Sequence, residues 1–278
     1  MARCPVHDDR TPSLSIRDAD DGRLLVHCHA GCDQAHVIAE FRARGLWGEK
    51  ARLVNGCRTQ PRVAAHESRD DDAARRRAAL AIWQAARAAE GTLVQTYLRS
   101  RNLHEEVPGA LRYHESLLHP AGRNWPAMVA LVTHVVTGEP LAVHRTFLAM
   151  DGSGKAPVTP TKMMLGPCRG GVVRLGEATA RVLVGEGIET CLAAMLATGE
   201  PAWAALSASG MAALVLPPTI RDVVILANGD EAGETAALTA ARHWSREGRT
   251  VRIARPPNGM DFNDLLTNAG CRHEGGGR

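Results

Sequence analysis

The chain has 278 residues, of which 45% are hydrophobic and only 4% aromatic, so it can form one large domain or two to three small ones with cores of Ala, Val and Leu. The net charge of +3 is mildly basic, which is compatible with a nucleic-acid partner but does not demand one. No stretch reaches about 18 consecutive apolar residues, which excludes a membrane-spanning helix; MARCPVHDD lacks the apolar centre of a secretory signal, and seven unevenly spaced cysteines argue against a disulfide framework and for a reducing cytoplasm.

Residues 1–48 hold Cys4-x2-His7, then twenty residues, then Cys28-x3-Cys32. Two close pairs separated by a longer span let a short chain surround one tetrahedral ion, and zinc suits three thiolates and one imidazole. Between the pairs, SLSI and LLVHC alternate as strands with Asp20-Asp21-Gly22 as their turn, a zinc ribbon-like module. His27 and His29 flank Cys28 and are expected to be bystanders. So few large apolar side chains would struggle to fold without a metal staple.

Residues 49–72 are rich in Arg, Asp, Gly and Pro without periodicity, which reads as a solvated linker. A mixed α/β region follows over 73–178. AARRRAALAIWQAARAAEG predicts a helix ended by Gly91, and TLVQTYLRSRNL predicts a second, short helix. Two β-rich runs flank Thr137-Gly138-Glu139-Pro140 and predict an antiparallel hairpin. Arg145, Lys155 and Lys162 are candidates to hold phosphate groups, with ordinary surface cations as the alternative. Tyr97, Tyr113 and Trp125 are expected in the core rather than stacked on bases.

From 179 to 268, short apolar strands pass through small-residue loops into helices, the rhythm of a Rossmann-like parallel sheet. Carboxylates stand at successive strand ends: Glu186 after RVLV, Asp230 after VVIL, Asp261 and Asp264 after VRIA. Active groups in such sheets gather at the carboxyl ends of the strands. Acids converging there can hold Mg²⁺ or Mn²⁺, neutralise phosphate charge and orient an in-line displacement. Helix N-capping is the alternative role for an Asp-x-x-Gly sequence. The tail 269–278 is Gly-rich and expected to fray.

CPVHDDRTPSLSI with CHAGC resembles the CHC2 zinc-binding domain of bacterial and phage primases, although Cys4 stands nearly at the first residue, where those proteins usually carry a helix and a strand beforehand. EGIET and ANGDEAG resemble the Toprim domain, with Asn228 in the first acidic position of its Asp-x-Asp motif, and GMDFNDLL is similar to the ending common in phage and plasmid primases. Together these resemblances point to a primase of the bacterial type, in the variety found on mobile elements. They imply short RNA primers made from ribonucleoside triphosphates on single-stranded DNA, a zinc module that grips the template, and Glu186, Asp230, Asp261, Asp264 and Asn228 as the catalytic set, with Glu186 and Asp230 on magnesium. Asn228 offers a neutral oxygen and removes one negative charge, so cation affinity is expected to fall. A non-catalytic single-stranded-DNA-binding replication module and a Toprim nuclease are the competing readings. No G-x-x-x-x-G-K-[ST] sequence occurs, so a separate replicative helicase is expected to unwind the duplex.

Overall fold

A computed structural model of the chain describes residues 2–7, 12–18, 24–44, 46, 62–256 and 262. It divides into two compact units, Met1–Gln60 and Pro61–Arg278. In the first, strands β1 (Leu14–Asp18) and β2 (Leu24–Cys28) pair antiparallel with Leu14 opposite Cys28 and Ile16 opposite Val26. Helix α1 (Gln34–Ala43) contributes a buried Val37. Among the described residues its buried core is small: Cys4, Leu14, Val26, Cys28 and Val37. Two of these five are the cysteines expected to bind metal, so the site and the core are one structure.

The second unit opens with α2 (Arg62–Ala85), β3 (Arg87–Ala88) and α3 (Leu93–Ser100). Two expectations change here. The helix begins at Arg62, so part of the stretch read as a linker is helical, and it ends at Ala85 rather than at Gly91. Gly91, at φ 67°, instead makes the turn into α3, where Thr92 caps the helix by accepting from the Val94 amide at 3.2 Å. The middle strands are β4 (Leu111–Leu118), β5 (Asn124–His134), β6 (Pro140–Phe147), β7 (Lys162–Leu165) and β8 (Gly171–Arg174). β5 and β6 form the expected hairpin, with Val129 opposite Arg145.

Then come β9 (Arg181–Gly185), α4 (Ile188–Thr198), β10 (Ala202–Ala204), α5 (Ala208–Ala212), β11 (Asp222–Leu226), α6 (Glu231–Arg246) and β12 (Thr250–Ala254). Among the described residues the sheet has ten strands, in the order β12-β11-β9-β10-β8-β5-β4-β3, with β6 on β5 and β7 on β6. β9 pairs parallel with β10 and β11, and β11 with β12. The antiparallel pair β8–β10 joins this parallel part to the middle strands, so one sheet runs through the expected boundary at 178.

The parallel strands are apolar on both sides because both faces are covered. Leu183 of β9 packs with Ile188, Cys191 and Ala194 of α4. Its neighbours Val182 and Val184 pack on the opposite face with Met211 of α5 and Ala237 and Trp244 of α6. Trp244 is fully buried and its indole N–H donates to Leu214 O at 2.9 Å. No helix among the described residues is long and apolar enough to cross a membrane.

Candidate functional site

The ring of His29-Ala30 and Gly31, with Gly31 at φ 93°, folds the chain after β2 so that Cys32 returns to Cys28. His7 Nδ1 lies 3.1 Å from Cys32 Sγ and 4.0 Å from Cys28 Sγ. One ligand atom from each of Cys4, His7, Cys28 and Cys32 falls within 4.8 Å of the others. Burial opposes ionisation of Cys28, yet hydrogen bonds from the Cys32 amide and the Ser13 hydroxyl pull its thiol down to about 6. Burial, then hydrogen bonding with and charge from Cys28 and Cys4, push the Cys32 thiol up to about 11. Cys28 and Cys4 thus oppose ionisation of Cys32, and a cation at the centre of the cluster removes that opposition. The donor set fits a closed, four-coordinate structural Zn²⁺ site. His27 and His29 meet edge to face, ring centres 4.8 Å apart, and are not members of that set.

The second site lies in the larger unit at the carboxyl ends of β9 and β11. Gly185 ends β9, because a Cβ there would meet Cys191 Sγ at 2.9 Å and Leu226 Cδ1 at 3.2 Å. Glu186 follows, half-buried, before α4 begins. Its amide-side neighbours are fixed by the loop after β10, whose Leu206, held at φ 66°, donates its N–H to Glu186 O at 3.0 Å. A bulky residue at positive φ stores strain, and such strain concentrates at functional sites. Across the switch, Asn228 Nδ2 donates to Glu186 Oε2 at 3.0 Å. Asp230 caps α6, accepting from the Gly233 amide at 2.7 Å. Burial and the charge of Asp230 raise the Glu186 carboxyl above its ordinary range, while Lys162 and the Asn228 bond act in the opposite sense. A carboxylate whose charge is disfavoured by burial and by a second carboxylate at a strand-end cleft fits a hard divalent cation.

A third group adjoins these two. Glu189 sits in the first turn of α4 with only 7% of its surface exposed. Tyr97 of α3 donates its phenol to Glu189 Oε1 at 2.7 Å, Lys162 Nζ reaches Oε2 at 3.0 Å, and Lys155 Nζ lies 3.8 Å from Oε1. Burial alone would raise the Glu189 carboxyl, but Lys162 and Lys155 hold it down at about 2. His144 and Thr146 of β6 share this side, and His144 Nδ1 and Thr146 Oγ1 are buried without a hydrogen-bond partner. Burial, with the charge of Lys162, pushes the His144 imidazole down to about 4, so it is neutral at pH 7.

Of the expected residues, Glu186, Asn228 and Asp230 gather at one end of the sheet, and Lys155 and Lys162 gather on Glu189. Arg145 does not join them. It lies opposite Met163 in the β6–β7 register, where side chains face the other side of the sheet from His144 and Thr146, and its Nη2 donates to Met164 O at 3.4 Å. Asp261 and Asp264 lie outside the described residues. Glu234, in the first turn of α6, is engaged by Arg255 at 2.5 Å. Tyr97, Tyr113 and Trp125 are buried core residues. Glu189 was missed in the sequence because an acid in a helix's first turn reads as a dipole partner. The signal was its place on an otherwise apolar face, beside Ile188 and Cys191.

Residues 181–271 match the Toprim domain family, and residues 73–175 match a family described as a domain of unknown function (DUF7146). No curated protein matches the chain. Among solved structures, a DNA primase domain from Pseudomonas aeruginosa is similar at 16% identity over 57% of this chain, with a TM-score of 0.37; the match spans 55% of that domain. The Aquifex aeolicus primase (zinc binding and RNA polymerase domains) is similar at 16% identity over 98% of this chain and 76% of its own, with a TM-score of 0.44. The primase fragment of the bacteriophage T7 primase-helicase is similar at 16% identity over 68% and 72% of the two chains, with a TM-score of 0.41.

Proposed function

We propose, from the premise that residues 181–271 form a Toprim domain, that the chain is a DNA primase which joins ribonucleotides on a single-stranded DNA template. The observation that carries this reading is the meeting of Glu186, Asn228 and Asp230 at the ends of adjacent parallel strands, where the charge of Lys162 acts on Glu186. Acids alone would fit any metal-dependent phosphoryl chemistry. The Cys₃His cluster and its CHC2-like sequence favour a primase over a Toprim nuclease.

In this reading Glu186 and Asp230 hold Mg²⁺ or Mn²⁺, with Asp264 and Asp261 as further candidate ligands from the following segment. When bound, the cation would supply neutralisation of phosphate charge as a 3′-hydroxyl attacks an α-phosphorus in line, forming the phosphodiester bond and breaking the bond to the departing pyrophosphate. Lys155 and Lys162 receive phosphate oxygens through charge-assisted hydrogen bonds. Asp230 is held in place by its capping bond, and Asn228 holds Glu186 in position at the expense of one ligand charge. Zinc in the N-terminal unit orders the β1–β2 module, which we assign to template binding. The expected site of action is the cytoplasm, with a separate helicase opening the duplex.

One observation favours a second reading, a non-catalytic single-stranded-DNA-binding module: the Asn228 amide occupies the Glu186 oxygen that a cation would need. One assay separates these. The purified chain is incubated with single-stranded DNA, labelled ribonucleotides and Mg²⁺ or Mn²⁺. Short RNA products support the primase, shortened DNA supports a nuclease, and DNA binding without products supports the second reading.

A further inference from the structure

Two lysines and one buried carboxylate do not cancel. Lys155 and Lys162 leave 40% and 36% of their side-chain surfaces exposed, while the Glu189 side chain that anchors them is 10% exposed. The anchor is thus inside and one unit of positive charge is in excess at the rim. Glu189 is itself oriented from a third element, by Tyr97 of α3 at 2.7 Å. On the α4 side, Glu186 precedes the helix cap Gly187 and Glu189 lies in the first turn, so the cation-binding acid and the lysine anchor are borne by one short stretch of backbone. The neighbouring polar groups of β6 offer no competing anion: His144 is neutral and Thr146 uncharged.

We infer that Glu189, oriented by Tyr97, is a positioning residue that fixes Lys155 and Lys162 beside Glu186, so that the triphosphate of an incoming nucleotide is aligned for reaction. The inference rests on the reading of this site as a nucleotidyl transferase. It resolves which phosphates the lysines meet: the triphosphate, since the charge of Lys162 acts on the cation-binding carboxylate and Lys155 shares its anchor, Glu189. A long, flexible Lys loses rotamer entropy when held, and the holding carboxylate makes that loss before the substrate arrives.

The charge balance gives a signature that a merely structural role lacks. Glu189→Gln keeps the size and the Tyr97 bond but removes a negative charge from beside the phosphate seat. Triphosphate binding is then expected to be about threefold tighter than in the unsubstituted chain, because repulsion is lost, whereas kcat for ribonucleotide incorporation falls about tenfold or more, because the lysines are no longer held. Lys162→Gln behaves differently: it weakens triphosphate binding by about tenfold. Tyr97→Phe, which removes only the orienting hydroxyl, lowers kcat in the same direction as Glu189→Gln but by less, and it decides the matter if Glu189→Gln does not fold.

The experiment uses the full chain and measures three quantities: the Kd of a fluorescent ribonucleoside triphosphate, kcat and KM for incorporation on single-stranded DNA, and the thermal midpoint. Unchanged kcat in both Glu189→Gln and Tyr97→Phe overturns the inference, as does equal or weaker triphosphate binding in Glu189→Gln. If the unsubstituted chain makes no RNA, the primase reading fails separately. The binding arm then decides alone: tighter triphosphate binding in Glu189→Gln upholds the lysine anchor, and equal binding, or none to the unsubstituted chain, overturns it.

Discussion

Asn228 is the residue at which sequence and geometry meet most sharply. Its amide nitrogen donates to Glu186 at 3.0 Å, so it stabilises a carboxylate that burial and Asp230 both disfavour. Asn228→Asp removes that donor and adds a third negative charge. The free protein loses stability, and Mn²⁺ affinity rises by about tenfold, since ligand charge sets the affinity of such oxygen sites; calorimetric titration reads both changes. His144 makes a pH prediction. Its folded value of about 4 lies below the ordinary 6.5, so the unfolded chain binds a proton through that interval and the folded chain does not. Its contribution costs nothing above pH 6.5 and destabilises the fold progressively as pH falls toward 4, by on the order of 3 kcal/mol. Urea unfolding between pH 7 and 4.5 is expected to flatten in His144→Leu. Glu189 works lower: its stabilising contribution is present above pH 4.5 and is lost as pH falls toward about 2.

At the scale of elements, the turn from β11 into α6 is built by close approach. A Cβ on Gly233 would stand 2.7 Å from Asn228 Cβ and 3.0 Å from Asp230 Oδ1. Alanine normally stabilises a helix by about 1 kcal/mol over glycine. Here Gly233→Ala displaces both site residues, and the expected result is a lower thermal midpoint together with weaker Mn²⁺ binding. The strands and helices of this region were legible because VLV, VVIL and VRIA are apolar runs that each pass into small-residue helices. The start of α2 was not, because ESRDDDAARRR has the polarity of a linker and a solvated helix carries the same composition. Arg145 was misgrouped with the lysines for a related reason. Proximity in sequence says nothing of sheet face, and an odd offset from His144 along β6 turns its side chain away.

At the scale of the molecule, the two units owe their stability to different things. The larger has extensive cores on both faces of one sheet. Among its described residues the smaller has five buried core residues, two of them cysteines of the Cys₃His cluster. Zinc removal by a chelator is expected to unfold the smaller unit and leave the β-sheet signal of the larger, with one zinc per chain before treatment and none in Cys28→Ser. The Cys₃His spacing made that centre readable from sequence alone, because ligand identity and turn geometry are both local. The Glu189 cluster was not readable: it unites positions 97, 155, 162 and 189, which only the folded sheet brings together.

The most direct test of the account is ribonucleotide incorporation on single-stranded DNA by Glu186→Gln, measured beside the unsubstituted chain with Mn²⁺ and with folding checked by circular dichroism. Glu186→Gln preserves shape and can still bond to residue 228, but it withdraws the charge that holds the cation. RNA products from the unsubstituted chain and at least a hundredfold fewer, in order of magnitude about 2.7 kcal/mol of lost transition-state stabilisation, from the variant are expected. Equal product from both proteins would contradict a shared cation at Glu186 and Asp230.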